Sequence, residues 1–101
     1  MLNITSIQFL WLLAMIPHRL KSARLKAKLT QEKLGVSAGI DESTARSRVS
    51  QYESGTYSPN FDTMCHFARV LNVPECYFYI LDDEFAEQVL ALYVVFKAPK
   101  D

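Results

Sequence analysis

Cysteine is scarce in this sequence: Cys65 and Cys76 are the two, and no CxxC pair exists. So few thiols exclude a disulfide framework, and Cys65, His66 and Cys76 lack the regular spacing of zinc ligands. Both cysteines sit in apolar segments with a helical pattern, where they are expected to be buried free thiols. Histidine is equally sparse. His18 and His66 stand alone, no glycine-rich phosphate loop is present, and no carboxylate pair marks a pocket. An enzyme and a bound cofactor are therefore not expected. The bulk charge is nil, with 11 Lys and Arg against 11 Asp and Glu, so it says nothing about partners. No apolar run reaches the roughly 20 residues that cross a bilayer comfortably. The apolar stretch Ile4 to Ile16 stops at Pro17 and has no positive charge before it, as a secretory signal would.

What is present suits one compact domain of 101 residues, half of them apolar. Charge is distributed unevenly. Residues 1–16 carry none, residues 17–54 hold eight basic against four acidic side chains, and residues 55–101 hold three against seven. A chain polarised this way can turn a basic face to phosphates, although a solvated lysine-rich helix fits the charges equally well. The segment 1–16 reads as an apolar N-terminal extension. It fits a helix packed on the domain, an anchor for a partner or membrane surface, or residues upstream of a start at Met15; an optional extension is the expectation.

Helical periodicity accounts for the rest. From His18 to Lys28, Leu20, Ala23 and Ala27 recur at spacings of three and four among Arg and Lys. Thr30 offers an N-cap to a second helix from Gln31 to Ala38, which ends at Gly39. Asp41 caps a third helix reaching Glu53, before Gly55. Thr56 to Asn60 forms a loop, with Ser58 or Asn60 capping a fourth helix, Phe61–Leu71, whose apolar stripe is Phe61, Met64, Cys65, Ala68 and Leu71. Pro74 opens a short fifth helix, Glu75 to Tyr79, whose aromatic cluster should plug the core. Asp82, Asp83 and Glu84 make an acidic start to a last helix ending near Lys97. No strand pattern, repeat or low-complexity segment competes. The expected fold is all-α: a compact five-helix domain over residues 17–80, with an additional C-terminal helix in residues 81–101.

Two short helices joined at a glycine behind a basic first helix suggest a helix-turn-helix unit. Specific residues sharpen that. The R-L-K-x-A-R opening at Arg19, T-Q-E-x-L at Thr30, Y-E-S-G at Tyr52 and P-N-F-D-T at Pro59 together resemble the lambda-repressor-like, Xre-type (Cro-like) helix-turn-helix family. The resemblance runs from Pro17 to Tyr79. One departure stands out: Gly39 and Glu53 are fourteen positions apart, longer than is usual in the family. Extra residues around Asp41 to Thr44 therefore enter the turn or lengthen the third helix.

The resemblance implies that the third helix enters the major groove of double-stranded DNA, where base edges are distinguishable. Counting back from Glu53, the base-reading residues are Arg46, Ser47, Ser50 and Gln51. Arg46 suits guanine and Gln51 suits adenine, each with two hydrogen bonds. Phosphate contacts are expected from Gln31 at the start of the second helix, from Arg48, and secondarily from Tyr57, Ser58 and Asn60. Thr56 stands where many relatives have lysine, which should lower nonspecific affinity. Ala45 and Val49 read as the core face of the third helix, against Leu34 and Ile40. Arg24 and Glu53 occupy the places of a semi-buried ion pair that fixes the reading helix, the alternative being two solvated charges.

Such a unit usually reads a pseudo-palindromic operator as a homodimer. The last helix is the dimerisation candidate through Phe85, Val89, Leu92, Tyr93 and Phe96, with Leu90 and Val94 widening the stripe; it could bury against a second copy, which is the expectation, or against the apolar N-terminal segment. The function expected is a cytoplasmic, sequence-specific transcriptional repressor, autoregulatory or antitoxin-like. The alternative is a protein-bridging module on the same fold that binds a protein partner and reads no DNA. Membrane attachment is not expected.

Overall fold

The computed structural model describes residues 14–100. Five α-helices and one 3-10 turn follow in order: α1 Pro17–Lys26, α2 Gln31–Ser37, α3 Glu42–Ser54, α4 Phe61–Leu71, the 3-10 turn Glu75–Tyr79, and α5 Asp83–Lys97. No strand occurs among the described residues. Most of the apolar N-terminal extension lies outside them. Its last part does not: Met15 is buried in the core and the Ile16 N–H donates to the Phe78 carbonyl at 2.8 Å.

Local chemistry sets most helix ends. Pro17 opens α1, where its missing N–H has no intrahelical role. Thr30 accepts from the Lys33 N–H at 3.0 Å, Asn60 from Thr63 at 2.8 Å, and Asp82 from Phe85 at 2.7 Å. Each satisfies an amide that the helix itself leaves unbonded. Asp41 caps α3 through both the N–H and the hydroxyl of Ser43. Those two bonds hold its carboxyl below the usual aspartate value. Gly55 ends α3 in the left-handed region at φ +80°, where glycine has no Cβ penalty.

Leu20, Leu34, Val49, Phe67, Tyr77 and Phe78 form the fully buried centre, with Tyr52 edge-on to Phe67 at 5.9 Å between ring centroids. Helices α2 and α3 approach closely because Gly35 faces Ala45. A Cβ on Gly35 would stand 2.8 Å from that of Ala45 and 3.1 Å from its backbone. Ala45 and Val49 are both fully buried, the core face of α3.

Four expectations are corrected. Phe61 is 71% exposed, and Phe67 takes the central place on α4. Phe61 is the first residue after the cap, whereas Phe67 shares its face with Met64, Ala68 and Leu71. Ala27, expected on the buried stripe of α1, is instead its exposed C-cap, followed by Lys28 at φ +59°. Cys76 is exposed and Cys65 half-buried, because the aromatic neighbours Tyr77 and Phe78 fill the core. The fifth helical segment winds as a 3-10 turn. Tyr77 N–H reaches Pro74 and Ile80 N–H reaches Tyr77, both three residues back, as suits five residues too short to nucleate an α-helix.

Candidate nucleic-acid interface

The site begins with the third helix. The insertion between Gly39 and Glu53 is absorbed as helix: only Ile40 and Asp41 separate Gly39 from α3, which runs for 13 residues. Glu42, Ser43 and Thr44 therefore form an additional front turn. Arg46, Ser47, Ser50 and Gln51 are all exposed on α3, opposite the buried Ala45, Val49 and Tyr52. Glu42 lies four residues before Arg46 and Ser43 four before Ser47, so both share that outer face. Neither was singled out from sequence. The signal for them was Asp41 itself, since a cap there obliges the next residues to be helical.

The hydroxyls on this face are partly committed. Ser47 donates to the Thr44 carbonyl at 3.1 Å, leaving its oxygen as an acceptor, and Ser43 donates to Asp41 at 2.6 Å. Arg46 lines a hollow of about 550 Å³ with Arg24, Thr30, Gln31 and Glu32, which brings this exposed arginine beside the N-terminus of α2. Arg48 is exposed. In the following loop Tyr57 and Ser58 are exposed; Asn60 is exposed too, with its side-chain oxygen used as the α4 cap and its amide nitrogen left to donate.

Beneath this face lies a polar network. Arg24 Nε donates to Glu53 Oε2 at 2.6 Å and Nη2 to Oε1 at 3.1 Å, a two-pronged pair with side chains only 10% and 5% exposed. Arg24 Nη1 donates to the Leu29 carbonyl at 2.9 Å, and Gln31 Nε2 donates to Glu53 Oε1 at 3.1 Å. One carboxylate at the end of α3 thus ties α1, the α1–α2 turn and the first residue of α2 together. Gln31, expected at a phosphate, keeps one amide hydrogen while the other holds Glu53.

The basic surface is smaller than composition implied. Arg19 is buried: Nε donates to the Ile80 carbonyl at 3.0 Å and Nη2 to Leu81 at 3.1 Å, and Nη2 lies 2.9 Å from Asp83. Its guanidinium also covers the Tyr77 ring at 5.7 Å. Lys26 pairs with Glu87. Two of the eight positive charges in residues 17–54 are thus buried in ion pairs, and a third is spent on α5. Lys21, Lys28, Lys33, Arg46 and Arg48 remain exposed. Sequence could not single out Arg19, because its partners lie more than 60 residues away.

The candidate dimerisation residues lie on α5, which is anchored through buried Ala86, half-buried Leu90 against the core, and the Arg19 and Lys26 ion pairs. Phe85, Leu92 and Phe96 are exposed, the last two by 67% and 68%, while Val89 and Tyr93 are half-buried. Tyr77 and Phe78 plug the core and Tyr79 remains outside.

Comparison with known proteins agrees with this geometry. The Helix-turn-helix family model matches residues 20–78. The solved structure titled "Crystal structure of transcriptional regulator BswR" is 43% identical, covers 78% of this chain and 78% of its own, and superposes with a TM-score of 0.76. No curated protein matches the sequence.

Proposed function

The chain belongs to the lambda-repressor-like helix-turn-helix family of DNA-binding transcription regulators, which are not enzymes, and on that premise we propose that it is a sequence-specific repressor acting in the cytoplasm. The observation that carries the proposal is the exposed face of α3 held rigid from behind by the Arg24–Glu53–Gln31 network. A reading helix must be placed to within fractions of an ångström, and side chains locked by buried hydrogen bonds supply that.

In this reading Arg46 and Gln51 read bases in the major groove, with Ser47 and Ser50 beside them. Arg48, Gln31, Tyr57, Ser58 and Asn60 hold phosphates. Two copies joined through α5 bind a pseudo-palindromic operator, and occupancy itself blocks transcription. Within this reading the repressor is autoregulatory or antitoxin-like. Among the described residues no helix is long and apolar enough to cross a membrane.

The test is a titration against duplex DNA from upstream of its own gene, at several salt concentrations, beside a scrambled duplex. Tight binding to one duplex should weaken with salt in proportion to the phosphates engaged. Gln51→Ala should lower discrimination by about tenfold. The second reading, a protein-bridging module, draws on the internal use of Arg19, Arg24 and Lys26 and on the uncovered apolar α5. Equal, weak binding to both duplexes that persists at low salt would establish it instead.

A further inference from the structure

We infer that α5 is covered by α5 of a second copy of this chain running antiparallel to it. This rests on the twofold reading above and adds the partner helix, its direction and its register.

The apolar seam of α5 is Phe85, Val89, Leu92 and Phe96, spaced four, three and four residues apart. That spacing keeps four side chains on one face of the helix, as in a coiled-coil seam. It also reads the same in both directions. Turned end for end about a twofold axis near residues 90 and 91, the seam meets itself, Phe85 of one copy against Phe96 of the other and Val89 against Leu92. A seam with this symmetry fits an isologous contact, in which one patch serves both partners.

A parallel pair would satisfy the spacing too, and charge decides between them. In the first half of α5 Asp83 is taken by Arg19 and Glu87 by Lys26, which leaves Glu84 and the capping Asp82 as the acids outside those pairs; the far end carries Lys97, with Lys100 and Asp101 just beyond. Side by side in parallel, acidic turns would lie against acidic turns and lysines against lysines. Antiparallel, each acidic end lies beside a basic one and the helix dipoles oppose favourably. The surroundings agree. Leu81, 84% exposed, precedes the helix and extends the apolar patch beyond Phe85. An antiparallel partner brings its Phe96 end to that place, so the turns of α5 that overhang one body are covered by the other.

Disulfide trapping of the full chain, with Cys65→Ser and Cys76→Ser as background, tests this. Phe85 and Phe96 are about 16 Å apart along the helix. An equimolar mixture of Phe85→Cys and Phe96→Cys proteins should cross-link readily on mild oxidation, while each alone should cross-link little. Val89→Cys with Leu92→Cys repeats the test nearer the axis. Lys97→Glu with Lys100→Glu should weaken the dimer by at least tenfold at low salt in sedimentation velocity, and adding Glu84→Lys, which leaves the Lys26–Glu87 pair intact, should restore part of that loss. Self-cross-linking of Phe85→Cys alone would mean a parallel pair and overturn the inference, leaving DNA reading by a dimer intact. A dimer that no cysteine pairing traps, or one indifferent to the charge reversals, overturns it as well. A chain that stays monomeric at tens of micromolar overturns both this inference and the twofold part of the proposed function, and leaves α5 to the chain's own apolar residues 1–13 or to a different protein.

Discussion

Replacing Glu53 by glutamine should be the most damaging near-isosteric change in this protein. The carboxylate accepts three hydrogen bonds, two from Arg24 at 2.6 and 3.1 Å and one from Gln31 at 3.1 Å. Glu53→Gln preserves shape but removes the charge, leaving the guanidinium of Arg24 with its side chain 10% exposed and no counter-charge. Breaking a buried pair from one side costs about 3–5 kcal/mol, because the surviving guanidinium can neither shed its charge nor reach water. A domain of this size has about 5–15 kcal/mol in total, so the variant should approach the edge of folding. With a urea dependence near 1 kcal/mol/M, the midpoint should fall by roughly 3–5 M, followed by circular dichroism. Arg24→Met should cost a similar amount. Arg24→Met with Glu53→Leu, which removes both charges and fills the space, should cost clearly less than the two singles added. If Glu53→Gln cost less than about 1 kcal/mol, the value of an exposed pair, the claim that this network fixes α3 from behind would be refuted.

Gly35→Ala gains about 1 kcal/mol of helix propensity, but its Cβ meets Ala45, whose backbone cannot move aside. Overpacking of about 1–3 kcal/mol should win, lowering the melting temperature and weakening operator binding by prying α2 from α3; a stabilised variant would contradict the close approach. Asn60→Ala should cost about 1 kcal/mol through loss of the α4 cap, and Asn60→Asp should recover most of it. Tyr77→Phe should be neutral or slightly stabilising in thermal melts, since the buried hydroxyl has no partner among the described residues. Its loss by more than about 1 kcal/mol would reveal an unseen bond. The Asp41 carboxyl is held below its ordinary value of 3.8 by Ser43, so its cap contributes fully above that pH and is lost as pH falls through the depressed folded value. Amide exchange or nuclear resonance shifts of Ser43 and Thr44 should report fraying of the α3 front turn in that acid range, and Asp41→Asn should abolish the pH dependence.

Helix existence and helix ends were legible from the chain alone, because the forces that set them act over a single turn. Thr30, Asp41, Asn60 and Asp82 each bond an amide two or three residues ahead, and Gly39 and Gly55 take left-handed turns that few other residues adopt at low cost. The motif around Tyr52 to Gly55 likewise located the end of the third helix and marked Arg24 and Glu53 as a pair. Contacts that cross the sequence were a different matter. Periodicity shows that a stripe is apolar but not how far a neighbour covers it, so Phe61 and Phe67 exchanged places and Cys76 came out exposed. An arginine in a basic run carries no local sign that two carbonyls and an aspartate more than 60 residues on will bury it, as they bury Arg19. Small residues such as Gly35 and Ala45 do not announce that they touch. What the sequence by itself determined was the set of helices, their caps and the exposed face of α3. Only the tertiary structure decided which positive charges stay on the surface, how closely α2 and α3 approach, and how much of α5 is left uncovered, because each depends on where distant segments meet.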